Sequence, residues 1–260
     1  MLDASSVWLV TLRLILFGGL EVAPRGKLTK ELPQHTLVID MRRPVVKVAE
    51  RKLSYQFMAA EAHWILSGDD SVAGIAPYNK HIAKFSDDGV KFFGAYGPKI
   101  LSQLDYVVAK LLADPDTRQA GLTIWRENPP LTKDVPCTVA IFANIRNMAL
   151  NLHVFMRSSD AWLGVPYDVF NFSMLSHLIC ARLNEARPTQ LIAPGQLHLT
   201  AASSHLYEHN WLPARECLSA AYRSQAATPR ELWTEEKTLY VWLEGLRDAK
   251  PGDKLRWWES

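Results

Sequence analysis

Apolar positions recur at helical spacing almost from the first residue. In residues 7–20, Trp8, Leu9, Leu12, Ile15 and Leu16 fall on one side of a 3.6-residue repeat, and Gly18 with Gly19 supplies a stop, so a core helix is predicted. Arg13 interrupts the run, which is shorter than the roughly 18–20 residues a membrane span needs. No small-residue cleavage pattern follows, so neither an anchor nor a leader is expected. Residues 23–30 read as a basic polar loop and the β-branched residues 36–41 as a short strand. A second helix is predicted over residues 48–66, stopped by Gly68, Asp69 and Asp70, with Glu61 carried in otherwise apolar surroundings. Residues 101–112 predict another helix, ended by the turn signal Asp114-Pro115-Asp116. The period then changes to that of strands over residues 122–125, 138–145 and 149–156, the last two close enough for a hairpin at Asn147. Helical spacing returns over residues 169–184 with Phe172, Leu175, Ile179 and Leu183. Strands and helices without regular βαβ alternation predict an α+β layer fold.

Composition narrows the class. A chain of 260 residues, 48% hydrophobic, is enough for one domain with a substantial core, and no repeat or linker divides it. One domain over residues 1–260 is therefore expected. A formal net charge of +2 gives no general reason to bind a nucleic acid polymer, though it permits a local arginine cluster for a small anion. The three cysteines, Cys137, Cys180 and Cys217, lack metal-site spacing and are odd in number, which suits a reducing cytoplasmic setting without structural metal.

Candidate chemistry begins at Asp134-Val135-Pro136-Cys137-Thr138, where a cysteine stands between a proline and a strand. Taken alone, such a cysteine reads more readily as packing than as a nucleophile. The group Arg157-Ser158-Ser159-Asp160 at the end of a later strand alters that balance, because an arginine lowers the pKa of a nearby thiol and its planar fork suits phosphate. A solvated strand end remains the alternative for this group. Cys180 and Cys217 read as packing residues.

The ordered set Asp114 to Arg118, Val135-Pro136-Cys137, Met156 to Asp160, Leu163 to Asp168 and His205-Leu206-Tyr207 resembles the thymidylate synthase family. The likeness extends outward through residues 8–27, Arg51-Lys52, Glu61 to Trp64 and Gly94 to Gly97, covering roughly residues 8–212. It implies a mixed sheet packed by helices, with one sheet face forming a homodimer interface. It also implies that Cys137 adds to C6 of a pyrimidine nucleoside monophosphate, so that C5 takes a one-carbon group from 5,10-methylenetetrahydrofolate. By the same resemblance Arg25, Arg118, Arg157 and Ser158 hold the nucleotide phosphate, Arg118 reaching across to the partner subunit. His205 and Tyr207 meet the sugar hydroxyl, Glu61 and Tyr96 manage protons through water, and Arg51, Lys52 and Asp160 receive the folate.

Two departures from the family pattern bear on substrate. Asp168 stands where thymidylate synthases carry the asparagine that reads the N3 and O4 edge of uracil. A carboxylate accepts from the amino group of cytosine, and with a proton it also serves N3, but it meets O4 of uracil acceptor to acceptor, so a cytosine nucleotide is expected, deoxycytidylate first. Asp168 also suits a helix N-cap. Thr138 replaces the family's usual histidine after the nucleophile, as in the deoxycytidylate hydroxymethylase branch, where water completes the reaction and tetrahydrofolate is released. Ribocytidylate hydroxymethylation and reductive methylation of deoxycytidylate or deoxyuridylate are the competing enzymatic readings, and nucleotide sequestration without chemistry is a non-enzymatic one. Gln119, the segment Ala201-Ala202-Ser203, Phe85 and the tail Arg256-Trp257-Trp258 also differ from the family, leaving folate coverage unassigned.

Overall fold

The computed structural model describes residues 2–223 and 236–248. Helix α1 (Ala4–Gly18) is the expected core helix, begun three residues earlier because Asp3 caps it by accepting from the Ser6 amide at 3.0 Å. Trp8, Leu12 and Ile15 are wholly buried, and the Trp8 indole donates to the Ala161 carbonyl at 2.7 Å, which ties the helix to the segment that follows Asp160. The stretch expected to be a basic loop is a loop only in part. β1 (Leu20–Val22) and β2 (Thr29–Asp40) pair antiparallel across it, and β2 is twice the length expected because its first half is polar and half exposed.

The second helix also departs from expectation. α2 spans Tyr55–Leu66, and residues 49–51 form a separate 3-10 turn, with Lys52 after it in the left-handed region at φ 51°. A left-handed residue ends any continuing helix, and Ser54 restarts one by accepting from the Phe57 amide at 3.1 Å. α3 (Val72–Ile75) is short, and α4 (Gly97–Ala113) begins before residue 101 because Pro98 fits the first turn, where its missing N–H costs nothing. β3 (Gly121–Thr123) pairs with β4 (Thr138–Arg146), and β4 forms the expected hairpin with β5 (Ala149–Met156). Asn147 and Met148, both at positive φ, make its two-residue turn.

After the two-residue β6 (Ser159–Asp160) comes α5 (Val165–Ala186). Gly164 occupies its cap position and Pro166 its first turn, so Asp168 lies inside the helix and the N-cap reading of it is corrected. β7 (Ala193–Tyr207), which the period did not reveal, is the centre of the sheet: antiparallel to β2 and parallel to β5 and β6. The seven strands run β1-β2-β7-β5-β4-β3, with β6 on β7, a mixed sheet as expected. α6 (Trp211–Arg223) and α7 (Glu236–Arg247) follow, α7 packing on α2 and burying Leu239, Leu243 and Leu246.

Alternation along the strands decides the two faces of the sheet. Leu37, Ile39, Leu197, Leu199, Leu152, Val154 and Ile141 point into the core shared with α1 and α5. Val38, Phe142 and Phe155 point outward and are 36%, 42% and 46% exposed, around stacked His153 and His198 rings 4.7 Å apart. Cys180 and Cys217 are buried packing residues, as expected. None of the described helices is long and apolar enough to cross a membrane. Residues 256–258 lie outside the described residues.

Candidate active site

The cleft is assembled where the start of β4, the end of β5, the first turns of α5 and the middle of α2 converge. Cys137 precedes β4, and its carbonyl accepts from the Arg157 amide at 2.8 Å, the link that joins the two strand ends. The Arg157 guanidinium clamps the same segment, donating to the carbonyls of Pro136 at 3.0 Å and Val135 at 2.9 Å, and lies 3.6 Å from the Cys137 sulfur. Arg157 does draw the thiol pKa down, as the sequence led one to expect. Burial outweighs it, however, and with Asp168, Asp134 and Asp160 adding to the rise the thiol sits above its ordinary value.

A third loop closes on this pair. Gly94 donates to the Asp134 carboxylate at 2.6 Å, and a side chain at position 94 would come within 2.4 Å of the Asp134 carbonyl oxygen, so only glycine permits the approach. Two residues on, the Tyr96 hydroxyl accepts from the Thr138 amide at 3.1 Å. Burial first, then the charges of Asp168 and Cys137, raise the Tyr96 pKa, which keeps its proton available for donation.

Two carboxyls on the opposite wall titrate near neutrality. Asp168 is lifted to about 6 by burial and then by the Asp160 charge, and its carboxylate makes no hydrogen bond among the described residues. Glu61 is lifted to about 7 by burial, which wins over the bond it accepts from Asn171 Nδ2 at 2.8 Å, the Asp168 charge adding to the rise. Asn171 was not foreseen from sequence. The signal that could have found it is its position one helical turn after Asp168, on the same face of α5.

A second cluster lies beside the thiol. Ser158 Oγ and His205 Nδ1 are 3.5 Å apart, the His205 and Tyr207 rings meet edge to face at 5.2 Å, and Arg25 donates to the Tyr207 hydroxyl at 3.5 Å. β6 pairing with β7 sets the first two residues side by side, and the left-handed Arg25, at φ 55°, turns its loop toward the end of β7. Four of the expected nucleotide residues are thus contiguous. Arg118 is not among them: it is exposed in a surface recess with Lys110, Asp114, Asp116, Thr117 and Gln119.

The expected folate residues divide. Asp160 accepts from the Trp162 and Leu163 amides through one oxygen, at 2.8 and 3.0 Å, and its other oxygen makes no bond among the described residues. Arg51 donates twice to the Trp162 carbonyl, at 3.2 and 2.8 Å, and stacks over the Trp162 ring, which makes it a brace for the segment between β6 and α5. Lys52 is exposed.

A half-buried thiol beside a guanidinium, with carboxyls near it that exchange protons near neutral pH, is a group of residues suited to nucleophilic and acid–base chemistry. The family model described as Thymidylate synthase matches residues 7–240, and the chain belongs to the thymidylate synthase family. Similar proteins include the "Deoxyuridylate hydroxymethyltransferase" of Bacillus phage SP01, 34% identical over 184 residues, which are 62% of this chain and 47% of that protein. Proteins of the same name in Delftia phage PhiW-14 and Pseudomonas phage M6 are 30% identical over 161 residues and 29% over 179. These matches cover 55% and 64% of this chain and 44% and 49% of the relatives, so the chain spans about half the length of the curated relatives it matches.

Proposed function

We propose that the protein hydroxymethylates C5 of a cytosine nucleotide, deoxycytidylate first, through a covalent bond from Cys137 to C6. The observation that carries this reading is a carboxyl, Asp168, close enough to the Cys137–Arg157 pair for its charge to raise the Cys137 thiol. The relatives' names support hydroxymethyl transfer and a deoxyribonucleotide. The free oxygen of Asp160 and the exposed Lys52 fit a folate bearing N–H donors and an anionic tail. Methylenetetrahydrofolate, when bound, supplies the one-carbon unit and departs as tetrahydrofolate.

The residues divide the work as follows. Arg25, Arg157 and Ser158 hold the phosphate, with Arg118 of the second subunit, and His205 with Tyr207 holds the sugar hydroxyl. The Cys137 thiol gives up its proton as the sulfur bonds C6, and the ring's C5–C6 electron pair moves to C5, which takes the one-carbon unit; loss of the C5 proton to a base of the Glu61 and Tyr96 group then breaks the bond between that carbon and the folate nitrogen, leaving an exocyclic methylene. The oxygen of water bonds the exocyclic carbon, and the Cys137–C6 bond breaks to restore the ring. Incubation with methylenetetrahydrofolate and each of deoxycytidylate, cytidylate and deoxyuridylate is expected to give a hydroxymethyl product from deoxycytidylate, read by mass. A methyl product with dihydrofolate would overturn the reading.

A second reading is favoured by the relatives' names: deoxyuridylate as substrate, with Asp168 neutral. A protonated carboxyl donates to O4 of uracil and accepts from its N3–H, and it serves cytosine as well by donating to N3 and accepting from the amino group, whereas the ionised form has no donor for O4 or for cytosine N3. Folded-state Asp168 gains its proton as pH falls through about 6. Turnover of deoxyuridylate and of deoxycytidylate should therefore both fall as pH rises through that value. The kcat/KM for each nucleotide between pH 5 and 8 measures this, and values independent of pH would sink it.

Dimerisation through the outward sheet face is part of the same proposal. Three half-exposed apolar side chains at the centre of a sheet are covered in most soluble proteins. Phe155→Asp is expected to move the protein from dimer to monomer in sedimentation, with loss of the phosphate contact from Arg118 seen as a raised KM.

A further inference from the structure

Beyond the residues already assigned, one buried amide stands between the base-reading carboxyl and the proton-managing one. Asn171 is 7% exposed, donates from Nδ2 to Glu61 Oε2 at 2.8 Å, and leaves Oδ1 buried without a partner among the described residues. Buried carbonyl oxygens without partners are rare in folded proteins, so this one asks for an explanation. We propose that Asn171 is a positioning residue that keeps Glu61 aimed into the cleft in both of its protonation states. An ionised Glu61 is an acceptor only and takes a bond from Nδ2. A neutral Glu61 has an O–H to give, and a half-turn of the amide brings Oδ1 to receive it. Because no other bond holds Oδ1, that half-turn breaks nothing else.

The surroundings make the swap useful. From α5, Asp168 and Tyr167 face Glu61, and at the start of α4 the Tyr96 hydroxyl faces Asp168 and Cys137. From α7, Glu244 and Arg247 are engaged by His63 instead, and α3 brings no charged side chain. No cation among these groups meets Glu61, so the Asn171 amide is the described group that steadies its charge. The spacing along α5 adds a second consequence. Asp168 and Asn171 project from adjacent positions on one helix face, so base reading and proton handling are held in fixed relation by the same turn.

Removal of the amide donor withdraws support from ionised Glu61, so its pKa should rise from about 7. In Asn171→Ala the Glu61 carboxyl band, identified by its loss in Glu61→Gln and followed by infrared spectroscopy without nucleotide, should titrate about one unit higher. Asn171→Asp should shift it furthest and Asn171→Gln least. With nucleotide and folate, the limb of the pH–kcat profile that belongs to Glu61 should move with the band, while the preference among nucleotide bases stays unchanged. An equal fall in rate at every pH, with the band unmoved, would overturn the proposal in favour of simple packing. Should the variants not fold, the side-chain amide resonance of Asn171 in the unaltered protein decides: it must titrate with Glu61, and a pH-independent resonance overturns the proposal. The activity arm rests on the function proposed above. The infrared and resonance arms need no turnover, so failure of that function would leave them standing.

Discussion

Cys137→Ser is expected to abolish turnover, by roughly 10⁴-fold or more, while leaving the fold and nucleotide binding intact. Loss of a covalent nucleophile costs this much because the remaining contacts can bind and orient the substrate but cannot supply the bond that activates C5. The site makes the effect steep. Burial already holds the thiol above its ordinary pKa, and a serine hydroxyl in the same position, with the same Arg157 beside it, is far harder to ionise. Stability should change little, within about 0.5 kcal/mol, since the sulfur's polar neighbour is a guanidinium already bound to the carbonyls of Val135 and Pro136. Mass measurement of denatured protein after incubation with nucleotide and folate should reveal an adduct on the unaltered protein and none on the variant. Full activity in the variant would replace the covalent reading with sequestration of nucleotide.

Asp168→Asn is expected to turn base preference from cytosine toward uracil. An amide donates to O4 of uracil and accepts from its N3–H without needing a proton, whereas the ionised carboxyl leaves O4 facing an acceptor, at about 1–3 kcal/mol for each group left unsatisfied. The ratio of kcat/KM values should change by on the order of 10²-fold or more. The exchange is nearly isosteric, and the Asp168 carboxylate has no hydrogen bond among the described residues to lose, so the scaffold should not register it. Removing a carboxyl that titrates at about 6 should also erase its limb from the pH profile of kcat/KM between pH 5 and 8. Unchanged selectivity would sink the pairing argument for both nucleotides.

Much of this was legible in the chain, for reasons that differ by segment. α1 and the β4–β5 hairpin were plain because one period runs unbroken through each. α2 was begun too early because Val48 and Leu53 continue its apolar repeat, and a repeat does not register a left-handed backbone at Lys52. β7 escaped because it is central yet two-faced: His198 and Thr200 point outward, and Pro194 and Gly195 make its first residues resemble a loop. The residues of the site were found as short motifs scattered from Arg25 to Tyr207, and strand pairing and helix packing bring most of them together. Arg51 was read as a ligand for an anion, and no motif announced the ring and carbonyl of Trp162 that its guanidinium meets. Asn171 was silent because an amide inside a long apolar helix acquires meaning only from Glu61, a residue on another element.

Helix α5 is buried along almost its whole length, from Val165 through Ala181, with Tyr167 and Asp168 its chief openings toward the cleft. Such a helix is free to vary in very few places. On the role proposed for Asp168, substrate range can drift at that position, while Tyr167 answers to Ser54 and Phe57, Asn171 to Glu61 and most later positions to the core. A lineage carrying this scaffold can therefore change what it modifies by single steps near residue 168 without renegotiating its architecture.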